Sequence, residues 1–557
     1  MSPPAGRQPG LVLGWVRGYD RSALTPDLLA GLTGAAVVLP KAMAYATVAG
    51  LPVEVGLYTA LAASIVYAAL GRSPVLSVST TTTIAILTGS ALGEVPGVAT
   101  QLLTALATLS VLVGMVLILA AVARLGFIAN FISEPVLAGF KAGIGAVIVV
   151  DQLPKLLGLH IHKVGFFRDL LSLARALPET SLPTLAVSAA AIVVLLALKR
   201  WVPRFPAALG VVALGIGASA VLGLPGRGVA AIGAIPAGLP SLVPPDIGLL
   251  GNLWAASIAI ALMSFTETVA SERAFAPSGE LRPPANRELV ATGLANVACG
   301  LAGGMPAGGG TSQTLVLSSG ARTQLAGLVV GLAALATLFL LAPALSLMPQ
   351  AVLAAVVIVY SLELVSLRDF RAIAAVRRTE LVWTLTAFAG VLLLGTLKGI
   401  LVAVITSLIA LGVQASNPAV YEVVRRRGTA AFRRRSEKHP DDEVFPGLLL
   451  VRVEGRLFFG NTDRVLELAA PLLDAARPKV VVLDCGAIFD VEYSALRMLA
   501  EAEARARRMG SELWLAALNP SVKEVVRRSP LGEALGQDRM CYDLNDAVDR
   551  FQARPTP

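Results

Sequence analysis

Ionisable side chains are scarce in this sequence. Asp, Glu, Lys and Arg together make 15% of its 557 residues, where a soluble chain carries about 25%. That deficit excludes a wholly water-facing surface. There are three histidines and three cysteines, and Cys299, Cys485 and Cys541 lie far apart. No zinc or redox spacing is present. Neither a nucleophile–base pair nor a metal-ligating cluster stands out, so no enzyme, metal or cofactor is expected. The N-terminus lacks a basic stretch followed by a cleavable apolar core, and no signal peptide is expected.

What the chain has in abundance is apolar sequence, at 55% hydrophobic residues and a mean hydropathy of +0.73. Runs such as "LLTALATLSVLVGMVLILAAVA" and "LAGLVVGLAALATLFLLAPAL" recur through the first three quarters. A helix needs ~20 mainly apolar residues to cross a bilayer; by that ruler the chain holds about twelve full spans and two shorter, interrupted ones. The net charge of +9 is a matter of topology rather than of nucleic acid. With the N-terminus cytoplasmic, the inner loops collect Arg72, Arg124, the group Lys199, Arg200 and Arg204, and the group Arg368, Arg371, Arg377 and Arg378. The last span is followed by "RRRGTAAFRRRSEK". This asymmetry puts both termini in the cytoplasm of a multi-pass plasma (inner) membrane protein.

From about Pro440 the texture changes. "KVVVLDCGAI" and "SELWLAAL" read as buried strands, and "SALRMLAEAEARARRMG" as an amphipathic helix. Strands alternating with helices imply a small α/β domain. The expected organisation is a cytoplasmic segment at 1–24, a transmembrane domain at 25–416, a basic linker at 417–440 and a cytoplasmic α/β domain at 441–553.

One motif occurs twice. "GRSPVLSVSTTTTIAIL" is echoed by "GGMPAGGGTSQTLVLSS", with Pro74 set against Pro306 and Thr80, Thr81 and Thr82 against Ser312, Gln313 and Thr314. In each copy a proline opens an extended piece, hydroxyls follow, and a short apolar helix begins. The first N–H groups of a helix lack internal partners, and Ser or Thr can cap them. Two half-helices starting near the bilayer midplane aim free N–H groups and positive dipole ends at one place, which suits an anion. The plainer alternative is that these threonines only cap and pack one helix.

At these residues the chain resembles a known family. "DLLAGLTGAAVVLPKAMAYATVAGLPVEVGLYTALAASIVYAALG", "ANRELVATGLANVACGLAGGMPAGGGTSQT" and "SSGARTQLAGL" are similar to the signatures of the sulfate permease (SulP) anion transporters, and the α/β piece to their STAS domain. The resemblance implies an α-helical polytopic membrane protein of fourteen segments. These form a seven-plus-seven inverted repeat with two half-helices, divided into core and gate domains, plus the cytoplasmic STAS domain. It also implies a homodimer and elevator-like secondary transport of a small anion, most simply sulfate, with a proton or sodium ion as coupling partner. A bicarbonate or C4-dicarboxylate transporter, or a passive anion channel, is the alternative. A nucleobase permease shares the repeat but not the STAS-like tail, and a membrane-tethered sensor with vestigial transport is a further reading.

Departures from the family pattern direct attention to particular residues. Pro40–Lys41 stands where the family usually has Pro–Gln, Ser79–Thr80 where it has Gly–Pro, and Ser312–Gln313–Thr314 where it has Ser–Arg–Thr. A cation is thus missing at Gln313 and present at Lys41. Lys41 lies fourteen residues beyond Asp27, ~21 Å along a helix. An ionisable residue at that depth is a functional candidate; a structural pairing with Glu267 is the competing role. Pro40 cannot donate to the Ala36 carbonyl, so a kink is expected there. Glu267 matches the acidic position of the family's eighth span, associated there with cation or proton coupling. Tyr45, one turn from Lys41, offers a hydroxyl or a packing surface. The candidate substrate residues are Lys41, Tyr45, Ser79, Thr80, Thr81, Thr311, Ser312 and Gln313, with Glu267 for coupling. Glu134 and Lys141 match a gate span and read as structural. Ser494, in "FDVEYSALRML", reads as a helix cap rather than a phosphorylation site.

Overall fold

The computed structural model describes residues 13–16, 19–95, 97, 101–130, 133–161, 165–203, 205–236, 238–275, 284–310, 314 and 320–554. The chain divides into two compact units, Met1–Leu408 and Ile409–Pro557.

The first unit is helical. Its main elements are α1 (Leu24–Val48), α2 (Val53–Leu70), α3 (Thr82–Gly93), α4 (Leu102–Val122), α5 (Glu134–Leu157) and α6 (Phe166–Ala176). Next come α7 (Leu182–Trp201), α8 (Ala207–Leu222), α9 (Leu250–Phe275), α10 (Ala285–Leu301) and α11 (Leu325–Leu345), the last with a π-helical turn at Thr337–Leu341. Then follow α12 (Gln350–Leu362), α13 (Leu367–Val376), α14 (Arg378–Leu394) and α15 (Thr396–Ser416), whose end enters the second unit. Nine helices among the described residues are long and apolar enough to cross a membrane, and α3 and α8 are shorter apolar ones. The expected count of full spans is not reached on length alone. α10 and α14, at 17 residues each, are a little short of the ~20 residues of a full crossing. α1 continues through Pro40 as one helix.

Two helix groups emerge from the packing. α1, α2, α4, α9, α10 and α11 pack among themselves, and α5, α7, α8, α12 and α14 form the other set. Where α5 crosses α14 the backbones nearly touch, since a Cβ on Gly139 would lie 1.9 Å from the Thr384 carbonyl oxygen. Gly139→Ala is therefore expected to destabilise the protein by about 1–3 kcal/mol through overpacking. A melting temperature in detergent equal to wild type would contradict that crossing.

The second unit carries a six-stranded sheet in the order β4-β3-β5-β6-β7-β8. Its strands are β3 (Ala419–Arg425), β4 (Phe432–Arg434), β5 (Leu448–Glu454), β6 (Val480–Asp484), β7 (Glu512–Ala516) and β8 (Met540–Cys541). β5 to β8 are parallel and β3 pairs antiparallel with both neighbours. Both faces are covered, which is why the strands read as continuous apolar runs. Val481 and Leu483 pack towards α17 (Tyr493–Arg508), whereas Val480 and Val482 pack towards α20 (Leu544–Gln552). The remaining helices are α16 (Thr462–Ala476), α18 (Pro520–Arg527) and α19 (Pro530–Leu535).

Residues 417–440, expected as a basic linker, instead contribute β3 and β4 to the sheet. Acidic partners make this possible: Arg425 pairs with Glu443 at 2.7 Å, Arg433 with Asp442 at 2.8 Å and Arg435 with Glu422 at 3.0 Å. The Arg433 guanidinium holds the Asp442 carboxyl below its ordinary pKa. Glu492, rather than Ser494, stands at the N-cap of α17.

Candidate functional site

The two copies of the repeated motif meet. Val78–Ser79 forms a short strand, β1, and pairs antiparallel with Gly308–Gly309, β2, with Val78 opposite Gly309 and Ser79 opposite Gly308. The Gly310 N–H donates to the Ser77 carbonyl at 3.1 Å, and the Ser77 N–H to Thr314 Oγ1 at 3.2 Å. Extended backbone at membrane depth survives only where protein satisfies its polar groups. Here α9 and α10 do so. Asn296 bonds both the N–H and the carbonyl of Ala307, at 2.9 and 3.0 Å. Thr268 Oγ1 accepts from the Gly309 N–H at 2.9 Å, and Ser271 Oγ donates to the Gly309 carbonyl at 3.1 Å. From the other side Gln324 donates to the carbonyls of Ser73 and Leu76, at 2.6 and 3.0 Å. The glycines are required for this approach: a Cβ on Gly309 would sit 2.7 Å from Thr268 Cα.

Just past β1, Thr81 caps α3 and accepts from the Ile84 N–H at 3.3 Å. Its hydroxyl proton goes to Glu267 Oε2 on α9, at 2.6 Å. This hydroxyl therefore joins the start of the broken helix to the one carboxylate expected to couple transport. Thr81 and Glu267 line a cavity of about 150 Å³ with Lys41 and Tyr45 of α1, Thr82 and Thr83 of α3, Lys141 of α5, Gly310, and Tyr360, Glu363 and Leu364. Lys41 is 2% exposed, and its ammonium lies 4.0 Å from the centroid of the Tyr360 ring.

The structure thus brings Lys41, Tyr45, Thr81 and Glu267 to one cavity. Ser79 and Thr80 are buried but are not among the residues lining it. Thr311, Ser312 and Gln313 lie outside the described residues. Sequence reasoning missed Tyr360 and Glu363, and it placed Lys141 away from the substrate; all three face the cavity. The available signal was Lys141 itself, an intramembrane cation in an apolar span. Tyr360 and Glu363 carried none, since a tyrosine and an acid at a span end are ordinary there.

A multi-span helical protein whose two extended segments pair beside a cavity lined by cations and hydroxyls belongs to the class of membrane transporters for small inorganic anions. Ammonium groups and hydroxyl donors supply what an anion loses on leaving water. The chain is a member of the Sulfate permease family, which matches residues 24–387, and a STAS domain matches residues 439–547. It is 34% identical over 557 residues to "Probable sulfate transporter MT1781" of Mycobacterium tuberculosis, covering 99% of each chain. It is 26% identical to "High affinity sulfate transporter 1" of Stylosanthes hamata, covering 97% of this chain and 85% of that one. Among solved structures, the murine Solute Carrier 26 family member A9 anion transporter in its inward-facing state superposes with a TM-score of 0.89 at 21% identity, covering 98% of this chain and 94% of that one.

Proposed function

We propose that the protein is a proton-coupled sulfate transporter of the plasma (inner) membrane. In this reading fourteen segments form a seven-plus-seven inverted repeat, with both termini cytoplasmic and two chains per assembly. The helix group containing α1, α4 and α9 is the moving core, and the group containing α5, α12 and α14 is the gate past which it carries the anion. The antiparallel β1–β2 crossing supports the inverted relation, because two copies of one motif meet head to head there. The sulfate assignment draws on the printed names of the relatives.

The observation that carries the proposal is the cavity itself. Its ionisable lining is two lysines and two glutamates, Lys41, Lys141, Glu267 and Glu363. Counting Lys199, which pairs with Glu363, three lysines face two glutamates, so a dianion entering alone still leaves more negative charges than positive there, which is costly. A proton on Glu267 removes one of those charges, and Thr81 can then turn its hydroxyl to the anion. A volume of about 150 Å³ is below the ~300–1,000 Å³ of pockets for drug-sized ligands, which suits a small solute. Gln313 stands where the family has an arginine, and Lys41 supplies the cation in its place.

The test is radiolabelled sulfate uptake into proteoliposomes with and without an inward proton gradient. Wild type is expected to take up sulfate several-fold faster with the gradient, and Glu267→Gln to lose that stimulation. Gradient-stimulated uptake in Glu267→Gln would remove Glu267 from the coupling role.

A further inference from the structure

One aromatic ring beside the cavity holds two cations. Lys41 Nζ lies 4.0 Å from the centroid of Tyr360 and Lys199 Nζ 4.4 Å from it. A ring face attracts an ammonium through its quadrupole, but two ammonium groups sharing one ring also repel each other. Glu363 offsets this repulsion as the ion-pair partner of Lys199. It stands at the C-cap of α12, three residues after Tyr360, and lines the same cavity as Lys41.

Exposure grades along this row. The side chain of Glu363 is 54% exposed and that of Lys199 31%, while Lys41 is buried. Lys199 and Arg200 occupy the last turn of α7, so the half-exposed end of the row sits at a cationic helix terminus. A cation paired to a half-exposed acid and a second, buried cation thus share one aromatic ring.

We propose that Lys199, Tyr360 and Glu363 form an entrance subsite, the station a small oxyanion occupies before it reaches Lys41; this rests on the anion-transport reading above. At the first station the anion takes the place of the Glu363 carboxylate on the Lys199 ammonium, and the displaced carboxylate moves into water. The anion then passes the edge of the Tyr360 ring, which is the positive part of its quadrupole, and meets Lys41 on the ring's face. Glu363 is a competitor for the subsite, and Tyr360 is a positioning residue that holds both cations.

A competitor and a structural partner give different signs. If the Lys199–Glu363 pair only braces α7 against α12, losing either side chain weakens the site. If Glu363 competes with the anion, losing Lys199 weakens anion binding and losing Glu363 strengthens it. The experiment is thermal-shift titration of the purified full-length protein with sulfate, bicarbonate and chloride, read as an apparent Kd for each. Lys199→Gln is expected to raise the Kd about tenfold, and Glu363→Gln to lower it several-fold. Tyr360→Leu is expected to raise it, with Tyr360→Phe restoring most of the loss because the ring face remains. Should Lys199→Gln not fold, Glu363→Gln and Glu363→Ala carry the same decision at a half-exposed position. Weaker binding in the Glu363 variants overturns the entrance subsite and leaves the transport reading standing. Folded wild type that binds none of the three anions overturns the transport reading, and the subsite with it.

Discussion

Lys41→Gln is expected to lower sulfate uptake into proteoliposomes by more than tenfold while the protein still purifies as a folded species. The ammonium is buried in the wall of a cavity of about 150 Å³ that also holds Glu267. Removing it leaves Lys141 as the remaining lysine of the cavity wall against two carboxylates. A charge-assisted contact contributes about 1.5–3 kcal/mol, and each 1.4 kcal/mol is about tenfold in affinity. With Lys199 paired to Glu363, the remaining lysines only balance the carboxylates, so no net positive charge is left to draw an anion in. Glutamine keeps the length and part of the hydrogen bonding, so the change tests charge. A second variant tests the proposed exchange of cation between the two halves: Lys41→Gln combined with Gln313→Arg restores the family's usual residues at both positions and is expected to regain part of the uptake. Normal uptake by Lys41→Gln alone would return Lys41 to a structural role.

The largest expected loss of stability belongs to a residue far from the anion. Asp27, in the first turn of α1, is fully buried. Its carboxylate accepts from the Arg322 N–H at 2.6 Å, the Thr323 N–H at 3.1 Å and Thr323 Oγ1 at 2.6 Å. These donors lie just ahead of α11, so Asp27 fastens the start of α1 to the start of α11, helices that pack along one another. Asp27→Ala strands two backbone N–H groups, each at a cost of about 1–3 kcal/mol when buried. A loss of roughly 3 kcal/mol or more is expected, with Asp27→Asn intermediate because one acceptor oxygen remains. Thermal unfolding in detergent reads this directly, and an unchanged melting curve for Asp27→Ala would contradict the tether. Asp27 entered the sequence reading only as a depth marker for Lys41. A lone acid at the start of a span looks like an interfacial residue until its partners, nearly three hundred residues away, are in view.

The same contrast runs through the site. The repeated Pro-to-hydroxyl motif, legible as a pair of strings, read as two helix starts aimed at one place, and the structure pairs the extended pieces of the two copies, Val78–Ser79 with Gly308–Gly309. Thr81, Lys41, Tyr45 and Glu267 were legible because each is a polar group in an oily neighbourhood, where burial demands a reason. Ser79 and Thr80 were read with them because a run of hydroxyls offers no phase. Only the backbone decides which side chain of such a run faces a cavity, and here it is Thr81, Thr82 and Thr83. Asn296, Gln324 and Thr268, which satisfy the extended segments, gave no signal, since any polar residue in a span could serve another one.

By itself the sequence determined that this chain is a many-span membrane protein with an α/β tail. Those properties follow from composition and from local period, through the length of a bilayer crossing and the alternation of buried strands and helices. It also directed attention to the repeated hydroxyl motif and to Lys41 as candidate anion-binding residues, since hydroxyls at a helix start and a cation in an apolar span are local features. Only the tertiary structure decided that Lys141, Tyr360 and Glu363 share that cavity, that the basic run after the last span folds into the sheet, and that Asp27 is a tether. Each of these is a meeting of residues distant in sequence or of a charge with its counter-charge, and such meetings depend on where chain segments pack rather than on what each segment prefers.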